Sequence, residues 1–209
     1  LNFKKFFVAG HDRGGRVAHR MARDFRKKIL ALSVLDICPT LDMYEKTNEK
    51  FAKSYFHWFF LIQPAPLPER MIMNNPRKWI KNCLDKWSGN HKFGSVEEAY
   101  LKSFKQKKRL HASCEDYRAS ATIDLEHDKK DRNKKLNIPI QILWGKKGVI
   151  GKQFNSIKIW KRYSNKKVYG YGINSGHFIP EQNPKQVIFQ FKIPSKPETS
   201  LSELPSTIS

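Results

Sequence analysis

The sequence predicts an α/β fold in which a mostly parallel sheet carries a helical insertion. Short apolar segments of strand length recur along the 209 residues, and segments rich in helix formers separate them. Such alternation is typical of parallel sheets covered by helices. A block from residue 41 to about 130, rich in helix formers and aromatic residues, interrupts the alternation and indicates the insertion.

The first third of the chain predicts a strand, a helix and a second strand. The apolar run within residues 5–9 predicts a buried strand, and residues 13–25 predict the helix that follows it. Residues 29–37 are apolar and rich in β-branched side chains, which favours a second core strand ending before Pro39.

The remainder predicts the insertion and the rest of the sheet. Helix breaks are expected at residues 64–68 and 88–90, where proline and glycine cluster. Further strands are expected at residues 138–145 and 166–172, and a last helix at 184–191. From Pro194 onward, proline, serine, threonine and glutamate dominate without periodicity, which predicts a disordered tail.

A Gly-x-Asp-x-Gly segment lies between the first strand and the first helix. This pattern, with Asp12 between Gly10 and Gly14, is that of a nucleophile elbow carrying Asp in place of Ser. We expect the glycines to be needed because side chains at Gly10 and Gly14 would clash across the turn. A carboxylate held there can attack a saturated carbon and form an ester that water then hydrolyses. A carbon bearing halogen and an epoxide carbon both suit this chemistry, and a glycine-rich turn with a capping Asp is the alternative.

Several segments resemble the fluoroacetate (haloacetate) dehalogenases of the α/β-hydrolase superfamily. The resemblance runs from about residue 3 to about residue 190, and its motifs lie at residues 11–16, 31–37, 55–64, 111–119 and 176–178. It implies a partial α/β-hydrolase sheet from the nucleophile strand onward, with a helical cap. The implied reaction converts fluoroacetate to glycolate and fluoride through an aspartyl ester, with no metal or organic cofactor.

Three residues are the candidate catalytic group. Asp12 is the nucleophile by its elbow context, and His177 follows the last strand, where this superfamily carries its histidine. The usual acid position near Trp144 holds no carboxylate. Asp36 ends the second strand, and neighbouring parallel strands end at the same sheet edge, so it can reach the same pocket. The resemblance also places the acid there, whereas a turn-capping role is the alternative.

Arg13 and Arg16 are the candidate ligands of a substrate carboxylate. Arginine binds carboxylates through paired hydrogen bonds, and these two residues lie about one helical turn apart. Two solvated arginines at a helix N-terminus would be unfavourable against the helix dipole. The backbone N–H of Arg13 is expected to supply half of the oxyanion hole.

Side chains of the predicted cap are the candidate halide site. The resemblance implies that His57, Trp58 and Tyr117 meet the departing halide with N–H or O–H donors, and packing within the cap is the alternative. Trp87 and His11 are further candidate pocket residues.

The predicted domains are core segments at residues 1–40 and 133–192, a cap at 41–132 and a tail at 193–209. The superfamily carries strands and an oxyanion loop ahead of the elbow, so the chain is expected to be an N-terminally truncated member with an open sheet edge. An epoxide hydrolase with the same Asp nucleophile and an inactive fragment are the alternatives. The fragment alternative predicts poor stability and no activity.

Composition narrows the class of partner. The net charge of +21 raises nucleic acid as a partner, but lysine is scattered and no recognition motif appears, so we expect none. The expected partner is a small anionic haloacetate. Three dispersed cysteines form no metal or disulfide pattern, and no apolar run could span a membrane. The expected location is cytoplasmic, and the sequence leaves a homodimer open.

Overall fold

The structure is a computed structural model that describes residues 3–89 and 91–192. Within these ranges it contains four strands: β1 (Phe6–His11), β2 (Ile29–Leu35), β3 (Ile140–Gly145) and β4 (Val168–Ile173). They form one parallel sheet in the order β1-β2-β3-β4. The predicted parallel sheet is confirmed. The predicted tail at residues 193–209 lies outside the described residues.

The helices of the described residues fall into three groups along the chain. The single helix between β1 and β2 is α1 (Arg13–Asp24). Eight helices separate β2 from β3: α2 (Thr40–Glu45), α3 (Glu49–Ser54), α4 (Phe56–Leu61), α5 (Leu67–Asn74), α6 (Pro76–Ser88), α7 (Ser95–Phe104), α8 (Lys107–Ala121) and α9 (Ile123–Lys130). The last four are α10 (Val149–Gln153), α11 (Ser156–Trp160), α12 (Ile179–Gln182) and α13 (Pro184–Lys192).

Helices cover both faces at the centre of the sheet, as is typical of parallel sheets. The expectation of a buried strand within residues 5–9 is wrong, because β1 is an edge strand and only one of its faces is covered: Phe7 is 76% exposed. On one face, Leu32 and Val34 of β2 pack in a cluster with Ala18 of α1 and Trp160 of α11. On the other face, Leu35 packs in a cluster that includes residues of β3, β4, α12 and α13. The alternation along β2 therefore fixes the sheet between two helical layers.

The eight helices between β2 and β3, which we call the insertion helices, pack largely through aromatic side chains. Phe51 is buried and makes edge contacts with Tyr55 and Trp58, and also with Phe154, which follows α10. The helices are interrupted near both expected breaks. The first break is shorter than the expected 64–68, because α5 already begins at Leu67. At the second, α6 ends at Ser88 and Gly89 has a left-handed φ of 63°. Among the described residues, no helix has the length and hydrophobicity needed to cross a bilayer.

Candidate active site

The turn between β1 and α1 presents Asp12 at the carboxyl edge of the sheet. Asp12 has a φ of 49° and a ψ of −122°, a conformation rarely adopted by non-glycine residues. A Cβ at Gly10 would lie 2.3 Å from the carbonyl oxygen of Gly14, and one at Gly15 would lie 2.8 Å from that of Gly10. The turn is thus closed by backbone packed against backbone.

The expectation that Gly14 must lack a side chain is wrong. A Cβ at Gly14 would have nothing within 4 Å, because it would point away from the turn. The glycines that the elbow requires are Gly10 and Gly15, and it is the carbonyl of Gly14 that approaches Gly10 closely.

The structure brings Asp12, Asp36 and His177 together. The sheet register pairs His11 with Leu35, so the residues that follow them, Asp12 and Asp36, leave the sheet side by side. The Nδ1 atom of His177 lies 2.7 Å from Oδ2 of Asp36, and its Nε2 atom lies 3.8 Å from Oδ2 of Asp12. The other oxygen of Asp36 accepts a hydrogen bond of 2.9 Å from the backbone N–H of Gly145. Asp36 is therefore fixed by two partners, whereas Asp12 keeps a freer carboxylate.

Charge explains the protonation states of this group. Burial alone would lower the pKa of His177, but the nearby Asp12 carboxylate and the hydrogen bond with Asp36 raise that pKa to about 10. Burial would raise the pKa of Asp12, but His177 holds it well below its ordinary value. At neutral pH His177 is therefore an imidazolium that faces the Asp12 carboxylate.

Arg13 is held by the insertion helix α8. Its Nε atom donates to Oδ2 of Asp116, and its Nη2 atom donates to the backbone oxygen of Asp116 at 3.0 Å. Its guanidinium carbon lies 4.8 Å from the centre of the Tyr117 ring. Its Nη1 atom is buried and has no hydrogen-bond partner.

Arg16 is held by the segment that follows β2. Its Nη1 atom donates to the backbone oxygen of Cys38 at 2.9 Å and to Oγ1 of Thr40 at 3.0 Å. Its guanidinium carbon lies 4.6 Å from the centre of the Trp58 ring. Its Nε atom is also buried without a partner. Each arginine therefore keeps one buried N–H group that an anionic oxygen could accept.

The predicted halide residues lie within one aromatic cluster. The His57 ring lies 5.6 Å from that of Tyr117, and the Trp58 ring lies 6.5 Å from it. Burial lowers the pKa of His57 to about 3, so its imidazole is neutral at neutral pH. Burial and the charge of Asp12 both raise the pKa of Tyr117, which keeps its hydroxyl protonated.

Trp87 and His11 both contact His177. The Trp87 ring lies 4.4 Å from His57 and 6.2 Å from His177, and its backbone oxygen accepts a 2.7 Å hydrogen bond from the N–H of His177. The Nε1 atom of Trp87 is buried without a partner. The His11 ring lies 4.7 Å from that of His177, and its Nε2 atom donates to the His177 carbonyl at 2.8 Å.

Two residues of the site were not predicted as such. Tyr55 is buried, and its ring lies 5.2 Å from His57, while the charges of Asp36 and Asp12 add to the burial that raises its pKa. Asp116 pairs with Arg13 across 103 positions of sequence. Both residues lie inside the segments that carry the resemblance, but no local pattern reveals these long-range contacts.

Two clefts lie near the site. One, of about 350 Å³, is lined by Arg13 and Arg16 together with residues of α1, α8 and α9, but not by Asp12 or His177. The other, of about 290 Å³, reaches His177 and Trp87. Besides His177, the second cleft is lined by four lysines and by no acidic residue: Lys50, Lys86, Lys147 and Lys152. A small anion would meet a positive potential on this side of the site.

A second cluster of titratable groups lies away from this site. Glu69, His111 and Glu115 come close enough together to hold a metal ion. Arg118 already donates to Glu69 at 2.8 Å and to Glu115 at 2.5 Å, so a guanidinium occupies the position that a cation would need. The cluster is an ion-pair network between α5 and α8.

Comparison with known proteins gives the same fold. The α/β hydrolase fold family matches residues 1–184. A fluoroacetate dehalogenase from Burkholderia sp is 38% identical over 188 residues, which are 88% of this chain and 61% of that protein. A soluble epoxide hydrolase from Corynebacterium sp. (strain C12) is 28% identical over 90% of this chain and 66% of its own length. The chain thus spans less than two thirds of either relative.

Solved structures of other proteins have the same fold as this chain. The structure of an α/β hydrolase from Nostoc sp PCC 7120 superimposes with a TM-score of 0.87 and 43% identity, over 91% of this chain and 66% of that one. An epoxide hydrolase called CorEH superimposes with a TM-score of 0.82 and 25% identity, over 91% of this chain and 68% of that one. The chain therefore belongs to the α/β hydrolase fold family, and its sequence is similar to that of a fluoroacetate dehalogenase.

Proposed function

We propose that this protein hydrolyses a haloacetate, with fluoroacetate and water giving glycolate, fluoride and a proton. The observation that carries the proposal is the pair of arginines beside the Asp12 nucleophile, each with a buried N–H group without a partner. Guanidinium groups with unpaired buried N–H groups next to a carboxylate nucleophile favour a substrate that is itself a carboxylate. Similarity to a fluoroacetate dehalogenase supports this choice.

In the first step, an Asp12 oxygen attacks the carbon that bears the halogen. The carbon–oxygen bond of an ester forms, the carbon–fluorine bond breaks, and its electron pair leaves with fluoride. Arg13 and Arg16 bind the substrate carboxylate, while His57, Trp58 and Tyr117 offer donors to the departing halide. The buried indole N–H of Trp87 is a further donor beside His57.

In the second step, water hydrolyses the ester. Esterification neutralises Asp12 and so removes one of the two carboxylates that raise the pKa of His177. The imidazolium then releases its proton and becomes the base that activates water, oriented by Asp36. Attack on the ester carbonyl regenerates the Asp12 carboxylate, and the Arg13 backbone N–H is one donor to the oxyanion.

An epoxide hydrolase is the second candidate, and one observation favours it. Opening an epoxide requires an acid near the nucleophile, and two buried tyrosines, Tyr55 and Tyr117, lie against His57. The charge of Asp12 helps to raise the pKa of both tyrosines. Arg13 and Arg16 have no role in binding an uncharged epoxide, and this favours the haloacetate.

Substrate selectivity tests the proposal. Replacement of Arg13 or Arg16 by Gln should lower the rate of fluoride release from fluoroacetate, because the substrate carboxylate loses a buried partner. We expect a loss of about 2–5 kcal/mol in kcat/KM, measured with a fluoride electrode. The matched control is Arg20→Gln on the same helix, where Arg20 pairs with Asp24 and Asp131 instead.

The Arg20→Gln control should release fluoride from fluoroacetate at the rate of the unaltered protein. All variants should have the same kcat/KM for an uncharged haloalkane. Equal losses of kcat/KM on fluoroacetate and on the haloalkane would refute the proposal that Arg13 and Arg16 bind the substrate carboxylate. Conversion of an epoxide to a diol at a higher kcat/KM than fluoroacetate hydrolysis would favour the second candidate.

A further inference from the structure

Asp116 is the residue of the insertion helices that holds Arg13, and nothing in the proposed reaction uses it. It lies on α8, 103 positions from Arg13, and its carboxylate and backbone oxygen both accept from the same guanidinium. The neighbouring Tyr117 ring packs against that guanidinium at 4.8 Å. Adjacent residues of one helix thus fix Arg13 through two hydrogen bonds and a ring contact.

The contacts with Asp116 leave one edge of the Arg13 guanidinium free to bind a ligand. Asp116 occupies the edge formed by Nε and Nη2, so these N–H groups are not free to bind a substrate in the same direction. The Nη1 group remains, buried and without a partner. A guanidinium binds a carboxylate in the plane of its N–H groups, so the direction of its free edge decides where that carboxylate lies.

We propose that Asp116 is a positioning residue that sets selectivity for carboxylated substrates by turning the Nη1 edge of Arg13 toward the site. The inference rests on the proposed function, because it assumes that Arg13 binds the substrate carboxylate. An unrestrained arginine side chain has many rotamers. A guanidinium that is fixed in advance therefore loses less conformational entropy when it binds a ligand.

The charge of Asp116 and its positioning role predict opposite effects of its removal on the binding of an anionic ligand. Asp116 is an anion beside the cation that binds the ligand, so by Coulomb's law its removal should tighten the binding of another anion. Positioning predicts weaker binding, because the freed guanidinium is no longer directed. The sign of the change therefore separates the two roles.

Equilibrium binding of acetate and its uncharged analogue acetamide tests the inference without requiring turnover. We expect Asp116→Ala to weaken acetate binding about tenfold or more, the scale of one hydrogen bond between charged groups. Acetamide binding should change little. Asp116→Asn should lie between the two proteins, because the amide oxygen can still accept from Nε. NMR chemical-shift titration of the protein measures all of these affinities.

The matched control is Glu115→Gln on the same helix, since Glu115 pairs with Arg118 away from the site. It should bind acetate like the unaltered protein. Unchanged or tighter acetate binding in Asp116→Ala would overturn the positioning role, as would equal losses in the Ala and Asn variants. If the unaltered protein bound acetate no better than acetamide, the proposed binding of the substrate carboxylate by Arg13 and Arg16 would itself be overturned.

Discussion

At the residue scale, the site depends on two aspartates held in costly backbone conformations. Asp12 and Asp36 have φ angles of 49° and 51°, and they are the only non-glycine residues with positive φ in the described part of the chain. Such conformations cost of order 1–3 kcal/mol each and persist only where the surroundings enforce them. Both aspartates lie beside the His177 imidazole, so the strain coincides with the site.

The protonation of His177 is a direct test of this arrangement. We expect the imidazole to remain protonated until the pH approaches about 10, because Asp12 and Asp36 raise its pKa above the ordinary 6.5. A raised pKa in the folded protein stabilises it fully below about pH 6.5, and this contribution is lost as the pH rises toward about 10. Replacement of Asp12 by Asn should lower the pKa of His177, as measured by NMR titration of the ring.

A neighbouring aspartate outside the site supplies the control. Asp24→Asn removes a carboxylate from the end of α1, where Asp24 pairs with Arg20, and should leave the His177 titration unchanged. An ordinary His177 pKa in the unaltered protein, or one that Asp12→Asn does not lower, would show that the imidazole is not paired with the nucleophile.

At the scale of elements, the turn from β1 to α1 is set by close backbone packing. Gly10 and Gly15 approach each other across the turn, whereas Gly14 faces open space. The sequence predicted this strand, turn and helix because the apolar run, the glycines and the helix formers each have a local signature. It did not predict that β1 extends to His11, since only pairing with Leu35 of β2 defines the end of the strand.

The glycines of the elbow therefore provide a matched pair of variants. Gly10→Ala would place a Cβ 2.3 Å from a backbone oxygen, so the turn must shift and the protein should lose stability. Gly14→Ala meets nothing within 4 Å at a helical position, where alanine is favoured over glycine by up to about 1 kcal/mol. We expect thermal unfolding to show a lower Tm for the first variant and an equal or higher Tm for the second. Similar Tm losses in both would contradict the geometry of the turn.

At the scale of the whole molecule, the site is assembled from segments far apart in sequence. Asp12 and Asp36 follow neighbouring strands, His177 follows the last strand, and Asp116 comes from the insertion helices. The parallel sheet and the meeting of the two aspartates with the histidine could be predicted, because strand ends and motif order constrain them. The contact between Arg13 and Asp116 could not, because it depends on how the insertion helices pack against the sheet.

The central claim is that Asp12 forms a covalent ester during the reaction, and trapping that ester tests it most directly. His177→Asn should permit attack by Asp12 on fluoroacetate but remove the base that hydrolyses the product. Mass spectrometry of the peptide that contains Asp12 should then show the added mass of a glycolyl ester, and Asp12→Asn in the same background should show none. A His177→Asn protein that binds fluoroacetate yet carries no adduct on Asp12 would contradict the covalent mechanism.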